Sequence, residues 1–263
     1  MHSIHTYVGT SAGAIIALLC VIGYSYDDMT LLLSEFIGTE LTSIGFERFF
    51  NLPTSLGLDD GTKLIELCEI ALKKKGFDPD ITMIDLSKKT GKNLVICVTN
   101  LSLSIAEYIS VDTLPEISVK MAIRMSTSIP FIFVPVMYNG HYYVDGAVTN
   151  GFPIEKCDSN LGETICLIAD VKSPNINPGE TPSLSNFAYN VYNTYTSYHK
   201  RHSTALLSKS SAKYTIVTIE LNDEPMNNDT DMSDDYSGIN IVFDKKIIDK
   251  YLDEGYKHCM QHF

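Results

Sequence analysis

The pentapeptide Gly9-Thr10-Ser11-Ala12-Gly13 constrains this chain more than any other feature. It follows Ile4-His5-Thr6-Tyr7-Val8, a run of β-branched and aromatic residues that reads as a short strand. It precedes Ala14-Ile15-Ile16-Ala17-Leu18-Leu19-Cys20-Val21-Ile22, a continuous apolar run stopped by Gly23, which reads as a buried helix. Strand, glycine–x–serine–x–glycine, helix is the order that presents a hydroxyl nucleophile on a sharp turn. The two glycines remove Cβ atoms that would clash there, so that the Ser11 hydroxyl stands clear of the backbone. The helix also points its N-terminal N–H groups and the positive end of its dipole at Ser11, which favours a developing negative charge. The alternative is a glycine-rich turn with an ordinary serine, and the rest of the chain has to decide between the two.

The chain has 263 residues, enough for one large domain or two small ones with an ample core. A hydrophobic content of 44% with 20% charged residues fits a globular protein in water. The formal net charge of -12 argues against nucleic acid, because phosphate binding needs clustered Lys and Arg. It also argues against simple electrostatic adhesion to anionic membranes, though not against insertion of apolar side chains. Cys20, Cys68, Cys97, Cys157, Cys166 and Cys259 show no C-x-x-C spacing, and several sit in apolar runs. They read as reduced thiols in an intracellular protein. The run from Ala14 to Ile22 has no Lys or Arg before it, unlike a signal peptide, and is too short to span a bilayer. No zinc spacing, phosphate loop or dinucleotide fingerprint occurs, so neither metal nor cofactor is expected. The acidic stretch Asp223, Glu224, Asp229, Asp231, Asp234, Asp235 fails the EF-hand pattern and reads as a solvated loop.

Patterning predicts strand 4–8, helix 11–22, helix 27–38, a loop-rich segment 39–58, and helices 61–75 and 82–90. It continues with strands 93–100 and 105–110, helix 116–126, strands 131–137 and 141–144, strand 164–171, helix 184–208, strand 213–221 and helix 244–261. The stretch 222–238, rich in Asp and Asn, reads as the least ordered. Alternating strands and helices imply an α/β fold, a mostly parallel central sheet with helices on both faces.

A serine nucleophile needs a base. None of the seven histidines has a recognisable setting. His2 and His5 precede the turn, His141 sits on a hairpin, His199 and His202 flank Lys200-Arg201, and His258 and His262 are near the C-terminus. Asp145 is the better candidate. In Asn139-Gly140-His141-Tyr142-Tyr143-Val144-Asp145-Gly146-Ala147, a turn feeds an aromatic strand that ends at Asp-Gly, and strand ends are where α/β sites are built. An ordinary Asp-Gly turn is the competing reading.

Together these residues resemble the patatin-like phospholipase family, in the motifs Gly9-Thr10-Ser11-Ala12-Gly13 and Asp145-Gly146-Ala147. The resemblance extends to Gly57-Leu58-Asp59-Asp60-Gly61 and Thr90-Gly91-Lys92-Asn93-Leu94-Val95-Ile96. It also takes in Ala122-Ile123-Arg124-Met125-Ser126-Thr127-Ser128-Ile129-Pro130-Phe131 and Asn150-Gly151-Phe152-Pro153-Ile154. It implies a single patatin-like three-layer domain over 1–263, with the motif-bearing part at 7–156 and a C-terminal part at 157–263 where the resemblance is weak. It implies a catalytic dyad of Ser11 and Asp145, supported by Gly9, Gly13 and Gly146, with the Ala12 backbone N–H as an oxyanion donor. The family's further donors come from a glycine-rich loop well before the serine. Only ten residues precede Ser11 here, so the first core strand and that loop are expected to be missing. A longer parent protein, a degenerate homologue, and donors from another chain or local segment all remain open.

The resemblance implies a lipid acyl hydrolase that cleaves carboxylic esters of glycerolipids or phospholipids. Its substrate would be met at a membrane or lipid-droplet surface, and the protein would be cytoplasmic or peripherally membrane-associated. The alternatives are a weakly active or inactive homologue that binds lipid or a partner, and an esterase with a histidine triad. Two segments are candidates for lipid contact: the apolar stretch 44–58, and Tyr189, Tyr192, Tyr195 and Tyr198, spaced by three near Lys200 and Arg201. Loop side chains filling core gaps and a half-buried packing stripe are the plainer readings of the two.

Overall fold

A computed structural model of the chain describes residues 4–35, 52–157, 164–172, 181, 184–207 and 214–222. Its centre is β3 (Asn93–Asn100), buried from Leu94 to Asn100. Alternation along β3 divides its side chains between two faces. Leu94, Ile96 and Val98 enter the main apolar core with Ala14, Leu18, Leu72, Leu86, Ile123 and Met125. Those partners come from α1 (Ala12–Val21), α3 (Thr62–Lys74), α4 (Met83–Thr90) and α5 (Val119–Ser126). On the other face Thr99 meets Thr149 of the short helix α6 (Ala147–Asn150), hydroxyl to hydroxyl at 2.8 Å. The fold is therefore mixed α/β, a central sheet flanked by helices.

The local reasons for the elements are ordinary ones. In α3, Leu64, Leu67, Cys68, Ala71 and Leu72 are the buried face, the three-and-four spacing of an amphipathic helix. In α4 the Thr82 hydroxyl accepts from the Asp85 N–H at 3.2 Å, and Gly91 closes the helix at φ 66°, a left-handed stop that favours glycine. Before α5 the chain stays extended through Ser118, which bridges to Thr82. This is why the helix expected from 116 starts at Val119. Pro135 interrupts the expected strand 131–137, leaving β5 (Phe131–Phe133) and β6 (Val136–Tyr138). The three-residue β2 (Gly57–Asp59) lies where sequence patterning expects a loop; it pairs parallel with β5.

The register around β3 positions the site. β1 (Thr6–Thr10) runs parallel to the first half of β3, ending at Thr10 opposite Cys97. β7 (His141–Asp145) runs antiparallel to the last residues of β3, ending at Asp145 opposite Val98. β4 (Ile105–Ile109) occupies the other edge along Ile96–Asn100. β1 and β7 therefore share one edge of β3 and meet nearly end to end. Their C-terminal residues, 135 positions apart in sequence numbering, abut because Cys97 and Val98 are neighbours. β6 completes this sheet by pairing antiparallel with β7. β8 (Thr164–Lys172) and β9 (Tyr214–Asn222) form a separate parallel pair, with α7 (Leu184–Leu207) between them in sequence. α2 (Tyr26–Glu35) follows α1. The predicted helix 244–261, the stretch 223–238 and most of the apolar 44–58 segment lie outside the described residues.

Candidate active site

Ser11 caps α1 with φ 55° and ψ -127°, a conformation that costs a non-glycine residue about 1–3 kcal/mol. Crowding explains the strain. A Cβ on Gly9 would stand 2.4 Å from the Gly13 carbonyl oxygen and 2.6 Å from the Ala14 backbone. β1 and α1 thus touch backbone to backbone, and the chain has to reverse within one residue. Gly13 differs: a Cβ there would meet nothing within 4 Å. The steric need for glycine expected at both positions holds at Gly9 and fails at Gly13.

The turn is held by the segment after α5. Ser126, fully buried, accepts the Ser11 N–H at 2.9 Å and donates to the Cys97 carbonyl at 2.7 Å. The Ser126 carbonyl accepts from the Gly146 N–H, and the Ser128 carbonyl accepts from the Asp145 N–H at 2.8 Å. One stretch of three residues thereby ties the end of β1 to the end of β7. It is itself fixed by Arg124, only 4% exposed, whose guanidinium donates to the carbonyls of Asp60 and Val134 and to the Ser128 hydroxyl. A Cβ on Gly61, whose φ is +72°, would strike that guanidinium at 2.2 Å. Thus the Gly57–Gly61 turn and the 122–131 segment, separate resemblances in the sequence, are two sides of one brace.

The structure brings Ser11 and Asp145 together. The Ser11 hydroxyl donates to Asp145 Oδ2 at 2.5 Å, while the Ala147 N–H donates to Oδ1 at 2.8 Å. Thr99 donates to the Asp145 carbonyl at 2.8 Å, fixing the backbone below the carboxylate. Gly146 is required by close approach, since a Cβ there would lie 2.3 Å from the Cys97 carbonyl oxygen. Asp145 is fully buried, and this burial pushes its carboxyl up to about 6; the bonds from Ser11, Ala147 and Tyr192 oppose the rise. A carboxylate in that range is a far better proton acceptor than an exposed aspartate near ~3.9. Ser11 is half-buried, and Ala12 and Gly13 are exposed at the N-terminus of α1, where the first N–H groups have no intrahelical acceptor.

No described histidine is placed to serve Ser11. His5 lies before β1 and His141 begins β7, in each case at the strand end away from the site. Asp145 lies four residue steps along the strand from His141, about 13 Å at ~3.3 Å per residue. His199 and His202 lie on α7 two turns or more beyond Tyr192. His2, His258 and His262 lie outside the described residues.

Two contributors are not legible as site residues in the sequence. Ser126 stands there only as part of a resembling segment, yet it holds the backbone of Ser11. Tyr192 reads as one of a stripe with Tyr189, Tyr195 and Tyr198, but spacing three turns 300° per step on a helix and does not keep to one face. Tyr192 reaches Asp145, whereas Tyr195 and Tyr198 are exposed. The side chain of Tyr189 lies outside the described residues. Among the described residues no group of three or more His, Cys, Asp or Glu side chains is placed to hold a metal ion.

The site is thus a serine on a strained strand-to-helix turn, hydrogen-bonded to a buried aspartate inside a mixed α/β fold. The Patatin family, described as patatin-like phospholipases, matches residues 3–158, and the chain belongs to that family. It is 33% identical over 164 residues to the uncharacterized protein R571 of Acanthamoeba polyphaga mimivirus, covering 62% of this chain and 54% of that one. It is 29% identical over 157 residues to a probable lipid hydrolase, 463L, of Invertebrate iridescent virus 6, covering 59% of this chain and 53% of that one. The chain therefore spans about half the length of these curated relatives. The crystal structure of VipD from Legionella pneumophila overlaps 98% of this chain and 60% of its own, with a TM-score of 0.49 and 16% identity.

Proposed function

We propose that this protein is a lipid acyl hydrolase that cleaves carboxylic esters of glycerolipids through Ser11 and Asp145. The observation that carries the reading is the 2.5 Å hydrogen bond from the Ser11 hydroxyl to a fully buried Asp145. Family membership supports a lipid substrate, as does the viral relative described as a probable lipid hydrolase.

In this reading the Ser11 oxygen attacks the ester carbonyl carbon while its proton passes to Asp145 Oδ2. The carbonyl oxygen becomes an oxyanion. Its nearest available donors are the N–H groups of Ala12 and Gly13 at the start of α1, since the Ser11 N–H is already bonded to Ser126. Collapse of the intermediate breaks the ester C–O bond, and the departing alkoxide takes the proton from Asp145. Water then attacks the acyl-Ser11 carbonyl and gives its proton to Asp145. A second collapse releases the fatty acid, with the proton returning to Ser11. No histidine is used. The exposed Ile16 on α1, three residues beyond Gly13, and the open space beside Gly13 offer an apolar approach for an acyl chain.

The substrate would be met at a lipid surface; among the described residues no helix is long and apolar enough to cross a membrane. Labelling with an alkyl fluorophosphonate tests the reading directly. Covalent modification of wild type that disappears in Ser11→Ala is the expected result. Folded wild-type protein that takes no label and releases no fatty acid from phospholipid vesicles would instead favour a lipid-binding homologue.

A further inference from the structure

We propose that Leu56 and Phe131 form an apolar lip by which the protein engages the hydrocarbon of a neutral lipid surface near the candidate site. That role rests on the hydrolase reading proposed above.

Five non-glycine residues among those described have positive φ: Ser11, Leu56, Ser104, Phe131 and Asn139. Ser11 is the candidate nucleophile. Ser104 ends the turn between β3 and β4, and Asn139 precedes Gly140 in the turn between β6 and β7. Both are short and polar, and such backbone is common in hairpin turns. Leu56 and Phe131 differ, because each is a bulky apolar residue at a place that favours glycine. The Leu56 N–H donates to the Leu52 carbonyl at 2.9 Å, closing a helical turn. At φ 62° Leu56 then takes the left-handed position that follows a helix. The Ile132 N–H donates to the Ile129 carbonyl at 3.2 Å, closing a turn with Pro130 second and Phe131 third at φ 69°. A positive φ at the third position, after proline, is the type II pattern that calls for glycine there. Burial does not offset the strain, since Phe131 is 66% exposed and Leu56 49%. Strained backbone and hydrocarbon in water thus coincide, and the fold gains from neither.

The two residues stand at neighbouring positions. Gly57 pairs with Phe131 where β2 meets β5, and Leu56 is one step before Gly57. The two strands touch closely, since a Cβ on Gly57 would lie 2.3 Å from the Phe133 carbonyl carbon. The same segment reaches the dyad. The Ser128 carbonyl accepts the Asp145 N–H at 2.8 Å, and Phe131 is three steps beyond Ser128, at most about 11 Å of chain. The sequence around the lip suits a lipid surface. Between Arg48 and Asp59, and again between Arg124 and Asp145, there is no Asp, Glu, Lys or Arg, in a chain that is 20% charged. Uncharged segments can enter the boundary of a bilayer without desolvating a charge. The net charge of -12 opposes approach to anionic lipid. A neutral surface therefore fits this lip.

Phe131→Gly and Leu56→Gly in the full chain remove the side chain and relax the backbone together. Each is expected to hold or raise the urea midpoint of unfolding, because glycine adopts positive φ without strain. Binding to phosphatidylcholine vesicles, read by flotation, should fall about tenfold or more for Phe131→Gly, less for Leu56→Gly, and further in the double variant. Wild-type flotation should change little with salt, as apolar insertion requires and electrostatic adhesion does not. Release of fatty acid from the same vesicles should fall about tenfold more than hydrolysis of a dispersed short-chain ester. Wild type that does not float, variants that float as it does, a lower urea midpoint, or equal losses on the two substrates would overturn the proposal. Loss of self-association with flotation intact would overturn it too, by making the lip a contact between copies. If the variants float normally while Ser11 takes a fluorophosphonate label, the lip falls and the hydrolase reading stands. If wild type floats through these residues but takes no label, the hydrolase reading falls and the lip stands.

Discussion

Ser11 and Asp145 sit 2.5 Å apart but are prepared by opposite means. Ser11 is half-exposed, and its special character lies in the backbone: φ 55° on a turn crowded by Gly9 and Ala14. Asp145 ends an ordinary strand and is followed by a helical Gly146 at φ -60°. Its special character lies in the loss of water around the carboxylate. One residue is set apart by geometry and the other by desolvation. The Ser126–Ser128 segment holds the two solutions in register, since it bonds the backbone at both ends. Geometry and burial should therefore fail separately when each is perturbed.

The largest effects fall on turnover. In the proposed reaction Ser11→Ala removes the nucleophile and Asp145→Asn removes the base. Each is expected to lower kcat/KM by at least about 10⁴-fold, equivalent to about 5.5 kcal/mol of transition-state stabilisation. Because the two act as a unit, the double variant should be hardly worse than either single one. A double variant worse by the product of both losses would mean that they contribute independently and that the dyad is misassigned. For wild type, activity is expected to fall on the acid side with a midpoint near pH 6, following Asp145.

Next in size is the cost of relaxing the turn. Gly9→Ala places a methyl against the backbone of Gly13 and Ala14, so that β1 and α1 have to separate. We expect a loss of about 3 kcal/mol in urea unfolding, at the upper end of overpacking costs because neither neighbour can change rotamer. A normal midpoint would show that the turn tolerates a side chain and that its strain is not imposed by packing.

Burial at Asp145 predicts the opposite sign. Its folded midpoint, about 6, is raised above the ordinary 3.8. The native state therefore holds the proton more tightly than the unfolded chain does. The stability this supplies is complete below about pH 4 and is lost as pH rises through about 6. At neutral pH the buried charge is a net cost, so Asp145→Asn should unfold about 1–3 kcal/mol later than wild type, with the gain vanishing below about pH 4. A gain that persists unchanged at pH 3.5 would trace to some other contact.

The same division explains what could be read in the sequence. Ser11 is legible because a backbone-determined feature leaves a local signature: two glycines, a strand before and an apolar helix after. β3 is legible to the residue because a strand buried on both faces is a continuous apolar run, Leu94 to Val98. Asp145 is legible as an Asp-Gly at a strand end, but that pattern also fits an ordinary turn, because the burial that sets it apart is supplied by parts of the chain far away in sequence. Ser126 and Tyr192 escape notice for that reason. A buried serine bonding a remote N–H has no local pattern, and a tyrosine at spacing three looks like its neighbours until one of them meets a carboxylate. β2 escapes because a three-residue strand is set by its partner β5 and by Arg124, not by its own composition.

Gly13 gives the smallest effect and the sharpest test of why the pentapeptide has two glycines. Unlike Gly9, it has no atom within 4 Å of the place a methyl would occupy, and its φ is not left-handed. It lies in the first turn of α1, where alanine is the better helix former. Gly13→Ala is therefore expected to leave stability unchanged or raise it by up to about 1 kcal/mol, by restricting the unfolded chain. If the glycine is kept for the fold, that gain will not appear. If it is kept for the substrate, the methyl will enter the exposed space beside Ser11, where the ester has to lie within reach of the Ala12 and Gly13 N–H groups. Then KM for long-chain esters should rise several-fold while fluorophosphonate labelling by a small probe stays near wild type. Equal loss for short and long esters would instead place the defect at the oxyanion donors, because those serve every substrate alike.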